Sequence, residues 1–182
     1  MGSVNVDKAP AGRRCPVCAQ LRMEGSRVIR YAVTPAAGGG WPGWGAALTR
    51  LLRKIGQNPT QVLIIEQRPH TARYVQLLVG HGQAHAEASS NVYLPDDYQL
   101  CAEEENLLVR IGWRPPERDF DDGEELPANW TLPLIRGDWQ GLAELVLATV
   151  AGVFRFDENL PVQVGTFQTD DPCVDCFPQV AS

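Results

Sequence analysis

The stretch that most constrains the fold is Gln83–Asn91, where small and polar residues alternate without a break. Ala84, Ala86, Ala88 and Ser90 fall on one side, and His85, Glu87, Ser89 and Asn91 on the other. A period of two marks a strand with one buried face, and a face this small needs bulky side chains packed against it. Just upstream, Arg73–Val79 is rich in Tyr, Val and Leu. Gly80-His81-Gly82 between the two runs suits the positive φ angles of a tight loop. The two runs are read as an antiparallel hairpin at the centre of a sheet.

Periodicity places the other elements around this hairpin. A helix over about Gly43–Ile55 carries Trp44, Ala47, Leu48, Leu51, Leu52 and Ile55 at helical spacing, and Gly56 stands where a C-cap glycine belongs. Thr60–Gln67 is a continuous apolar strand. A second helix spans about Ala102–Ile111, with Glu103, Glu104 and Glu105 in its first turn and Gly112 after its last. Asn129–Ile135 is extended, Asp138 caps a third helix over Trp139–Phe154, and Pro161–Phe167 is a last strand. The first three strands of this domain are joined by short connections, which force them antiparallel. The predicted fold is α+β, a two-layer sandwich with helices on one face of an antiparallel sheet. Val28–Thr34 also has strand character, but Pro35–Gly40 after it reads as a flexible linker. The chain therefore divides into an N-terminal appendage (1–40), a main domain (41–167) and a C-terminal tail (168–182).

Composition narrows the class of function. Apolar residues make up 44% of the chain and charged residues 21%, as in ordinary soluble globular proteins. A formal net charge of −6 disfavours binding to nucleic-acid phosphates. No run approaches the roughly 18 apolar residues of a membrane span, and Met1–Pro10 has no apolar signal core. The expected location is the cytoplasm, where thiols stay reduced.

Two Cys-x-x-Cys pairs, Cys15/Cys18 and Cys173/Cys176, stand at opposite ends of the chain. Each pair can supply one edge of a tetrahedral metal site, and together they make a four-thiolate structural zinc that ties the termini together. The long separation between them departs from the usual zinc-motif spacing of roughly 15–20 residues, so free thiols and a thiol-based redox or metal-responsive role stay open. Cys101 falls at the start of the second helix, where a partly buried structural thiol is the common case.

No catalytic constellation stands out. His85 and Glu87 share a strand face, but no Ser or Cys nucleophile accompanies them at a recognisable spacing. The acidic run in Arg114–Ala128 lacks the ligand spacing of a calcium loop. On an exposed sheet face, Tyr74, His85 and Glu87 are the candidate partner-binding residues.

Several short motifs carry a family likeness: RYVQLLVG, AEASSNVYLP, the acidic helix ending in LLVRIGWRPP, then PANW and LAELVLATVAGVF. Together they resemble an actinobacterial family of type III secretion chaperone-like and YbjN-like domains (the TY-Chap N-terminal domain), over about residues 41–167. The most specific marks are Ser90-Asn91 with Leu94-Pro95, Gly112-Trp113 before Pro115-Pro116, and Asn129-Trp130. The resemblance implies a sandwich that binds other polypeptides and performs no chemistry. The reading from sequence is thus a non-enzymatic, chaperone-like polypeptide-binding domain, compatible with a homodimer, without a nucleic-acid or membrane partner.

Overall fold

The computed structural model describes residues 29–57, 60–67, 69–116 and 129–168. In chain order these form β1 (Ile29–Val33), α1 (Gly40–Ile55), β2 (Gln61–Glu66), β3 (Tyr74–Gly80) and β4 (Gln83–Ala88). Then come α2 (Ala102–Ile111), β5 (Trp130–Thr131), β6 (Ile135–Arg136), α3 (Trp139–Leu147) and β7 (Val162–Gln168). All strands join one antiparallel sheet in the order β1-β7-β2-β3-β4-β5, with β6 also on β4. The α+β sandwich is therefore as expected, but its strand order is not the chain order, because β7 inserts between β1 and β2.

The central hairpin follows its sequence closely. Gly80 pairs with Gln83, so His81 and Gly82 alone turn the chain, with φ of 50° and 78°. Two consecutive positive φ angles define the primed turn that matches the twist of the flanking strands. Gly80 itself is needed for room, since a Cβ there would lie 2.7 Å from the Thr60 Cα.

Strand alternation sends Leu63, Ile65, Val75, Leu77 and Val79 to the helix side, together with Ala84, Ala86 and Ala88. The three alanines are fully buried, and the cluster that includes them also holds Leu108, Trp113, Leu142, Val146 and Val150. Small side chains on the strand leave the depth that this indole and these helical side chains fill.

The helix ends show which sequence signals were read correctly. Gly112 closes α2 in the left-handed conformation (φ 110°), and Asp138 caps α3 by accepting from the Gly141 N–H at 2.9 Å. Gly56 is the C-cap of α1, its N–H donating to the Leu52 carbonyl, but its φ of −62° is not the left-handed one a cap glycine usually takes. A Cβ at Gly56 would meet the Trp139 ring at 2.5 Å, so close packing of α1 on α3 requires the glycine. Pro35–Gly40 is likewise not a free linker. Pro35–Gly38 forms a 3-10 turn with Pro35 buried, Ala36 donates to the Glu158 carbonyl at 2.9 Å, and α1 starts at Gly40.

Beyond Leu147 the third helix widens into a π-helical turn, Ala148–Val153. There the Thr149 hydroxyl donates to the Leu145 carbonyl at 2.8 Å and accepts from Trp113 Nε1 at 2.9 Å, deep in the core. Arg155 then reverses the chain with φ of 55°, in a conformation that costs a non-glycine residue energy.

One polar anchor ties the sheet to α2. Arg73 meets both carboxylate oxygens of Glu104 at 3.0 Å and also donates to the Tyr98 and Gln99 carbonyls. Glu104 in turn accepts from the Cys101 N–H at 3.0 Å at the start of the helix. Burial by itself raises the Glu104 carboxyl, yet the Arg73 guanidinium and the Cys101 N–H outweigh it and hold it below the usual carboxylate range.

Candidate functional site

The second face of the sheet, away from the helices, gathers the residues singled out from the sequence. Leu77 and Ala86 face the helices, so Gln76 and Glu87, and Leu78 and His85, pair on the other side. His85 Nε2 lies 3.3 Å from Glu87 Oε1. Asn129 Nδ2 reaches Glu87 Oε2 at 3.1 Å and the Tyr74 hydroxyl at 3.3 Å. Tyr74, His85 and Glu87 thus form one cluster, and Asn129 is the member that joins them. Burial pushes the Glu87 carboxyl up, but hydrogen bonds from His85 and Asn129 prevail and keep it ionised below the ordinary range.

This cluster is more enclosed than a solvated strand face. The His85 and Glu87 side chains are 24% and 15% exposed, and Val62, Gln76 and Leu78 on the same face are buried. Its chemistry is that of a held charge: Glu87 has partners on both oxygens and pins the approach to β5 onto the β3–β4 hairpin.

A different surface is open and apolar. Tyr31 pairs with Val164, and Val33 with Val162, on the face shared with Ile65, so both side chains stand on the helix side. They remain 50% and 43% exposed. With Trp44, Ala47, Leu48 and Leu51 of α1 they line a groove of about 230 Å³. Trp41 supports its wall, edge-on to Trp44 with ring centroids 5.7 Å apart.

The same place is an edge of the sheet. Among the described residues β1 pairs with β7 alone, so alternate N–H and C=O groups of Ile29–Val33 point outward. At the far edge, β5 and β6 are only two residues each. Tyr31 and Val33 were not singled out from the sequence. The strand character of Val28–Thr34 and the apolar stripe of the first helix were both visible; the insertion of β7, which sets them side by side, was not.

The other candidates are scattered or lie elsewhere. Cys15, Cys18, Cys173 and Cys176 lie outside the described residues, as do positions 117–128 of the acidic run. Cys101 is the residue capping α2 and is exposed rather than partly buried. Among the described residues no group of three or more His, Cys, Asp or Glu is placed to hold a metal, and no helix is long and apolar enough to cross a membrane.

Among the described residues, an antiparallel sheet with three helices on one face, an edge strand paired on one side and an apolar groove beside it define an α+β sandwich domain. Residues 34–164 match the family model described as T3SS (YopN, CesT) and YbjN peptide-binding chaperone 3, TY-Chap3. The chain belongs to this family. No curated protein and no solved structure matches it.

Proposed function

We propose that the protein binds an extended polypeptide segment at the β1 edge of its sheet, as a non-enzymatic, chaperone-like module. The bound segment adds a strand to Ile29–Val33 and seats an apolar side chain between Tyr31, Val33 and α1. Main-chain hydrogen bonds supply affinity in this mode and the groove supplies selectivity. The observation that carries the reading is the coincidence at one place of exposed Tyr31 and Val33, the groove, and a strand edge that is unpaired among the described residues. Peptide binding is also what the family description names.

The test is a titration of a labelled, extended, apolar peptide against the full chain, followed by fluorescence anisotropy. Ala32→Pro removes a backbone donor from the edge strand, and Leu51→Asp puts a charge in the groove. Both are expected to weaken binding; equal affinity for wild type and both variants would overturn this seat.

A second reading keeps Tyr74, His85 and Glu87 as the partner-binding residues, favoured by their gathering in one hydrogen-bonded cluster on a single face of the sheet. Retention of every partner by Glu87→Lys in a pulldown counts against it.

For the chain ends the proposal is a structural zinc shared by Cys15, Cys18, Cys173 and Cys176. The strand register supports it. β1 opens at Ile29 opposite Thr166 near the end of β7, so the chain enters and leaves the sheet at the same end. Metal analysis of protein purified without chelators or a His-tag is expected to find one zinc per chain, lost when either pair is changed to Ser. Metal-free protein with titratable thiols would instead favour the thiol-based alternative.

A further inference from the structure

A second groove, of about 470 Å³, runs between α1 and α3 on the side of α1 away from β1. Its floor is made by Pro42, Ala46 and Leu147, with Gly45 so close to α3 that a Cβ there would lie 3.1 Å from the Leu147 side chain. Arg50 and Arg53 stand along the α1 rim. Across from them, Glu144 is engaged by Gln140, whose Nε2 donates to it at 3.0 Å.

The charge of this rim runs against that of the molecule. The chain carries a net −6, yet Gly40–Ile55 contains no acidic residue and three basic ones. Arg50 and Arg53 are exposed, and among the described residues neither guanidinium group forms a hydrogen bond or an ion pair. Their spacing of three places both guanidinium groups on one side of the helix, over the apolar floor. Arginine is suited to this position because its planar fork binds a carboxylate through two hydrogen bonds.

We propose that the α1–α3 groove docks an acidic stretch of a polypeptide partner, its carboxylates on Arg50 and Arg53 and an apolar side chain on Pro42, Ala46 and Leu147. This rests on the peptide-binding reading and names the chemistry of the partner, and it uses a surface separate from the β1 edge. Charge complementarity selects the occupant. The net negative charge of the molecule disfavours an acidic segment over most of its surface, and a basic rim beside an apolar groove offsets that, so the two arginines set the register of the segment.

The experiment compares two labelled peptides with the full chain: one of alternating Glu and Leu, and its counterpart with Gln in place of Glu. Wild type is expected to bind the Glu peptide at least about tenfold more tightly, with the advantage shrinking as salt rises. The double variant Arg50→Glu, Arg53→Glu removes that advantage, and Arg50→Lys, Arg53→Lys retains part of it. Ala46→Asp, which charges the floor, weakens the Glu peptide as well. Circular dichroism confirms that each variant is folded.

Equal binding of the two peptides by wild type, or an advantage that survives Arg50→Glu, Arg53→Glu, overturns the proposal and leaves peptide binding at β1 intact. Binding of neither peptide overturns the peptide-binding reading itself, and this docking site with it.

Discussion

Tyr31→Ser is the sharpest probe of the β1 groove, because the tyrosine is half exposed and its contribution to the fold is small. A tyrosine offers about 150–250 Å² for burial, and Tyr31 is 50% exposed. A segment laid over it therefore removes roughly 100 Å² from water, or about 2.5 kcal/mol at 25 cal/mol per Å². Ordering side chains at the contact costs about 0.5–1.5 kcal/mol each. The net is close to the 1.4 kcal/mol that corresponds to tenfold in Kd, so Tyr31→Ser is expected to weaken binding about tenfold. Most of the change should lie in the dissociation rate, read by stopped-flow displacement of the labelled peptide. Tyr93 is a matched control: it is 60% exposed and lies outside the groove. The reasoning fails if Tyr31→Ser binds within twofold of wild type, or if Tyr93→Ser weakens binding as much.

Three further outcomes concern the frame that holds these surfaces. Glu104→Gln is expected to cost about 2–3 kcal/mol at pH 7, because it leaves the largely buried Arg73 without its carboxylate. The Glu104 carboxyl sits below its ordinary range when folded, so its contribution is present above the unfolded value of about 4.3 and fades as pH falls through the folded one. Urea unfolding at several pH values should show the gap between wild type and Glu104→Gln closing on acidification; a constant gap would contradict the linkage. Thr149→Val keeps the shape but strands Trp113 Nε1 in the core, at about 1–3 kcal/mol, with the indole emission reporting the change. Arg155→Gly relieves a left-handed arginine and should gain up to about 1 kcal/mol, less the added freedom of glycine in the unfolded chain. Thermal melts showing a clear loss would mean that Arg155 holds a contact worth more than its strain.

Much of the layering was legible in the residues. The alternation over Gln83–Ala88, the turn at His81-Gly82, the second helix from Ala102 to Ile111 and the capping Asp138 all appear where local pattern put them, whereas Ser89–Asn91 leave the strand and Ser89 is buried with Ser90. These are short-range effects: side-chain period, positive φ and orphan N–H groups are decided within a few residues of the chain. Pro35–Gly40 was misread as a flexible linker for the same reason, since it was judged by its neighbours in sequence, and the reason for a glycine at the Gly56 cap was equally out of local reach. In the structure Gly56 answers to the Trp139 ring, and the segment after β1 to the Glu158 carbonyl.

The candidate sites belong to the other category. Tyr74, His85 and Glu87 could be placed on one face by alternation, but Asn129, which closes their hydrogen-bond cluster, arrives from a segment 42 residues past Glu87. The groove at Tyr31 and Val33 exists only because β7 pairs with both β1 and β2. Sequence by itself determined most of the elements, the buried stripe of each, the acidic composition of the chain and its likeness to a polypeptide-binding family. Tertiary structure alone decided which strand became the free edge and which helix stood beside it. The reason is that strand pairing between distant segments is selected by the burial of the whole sheet, and no local period in the chain encodes its order.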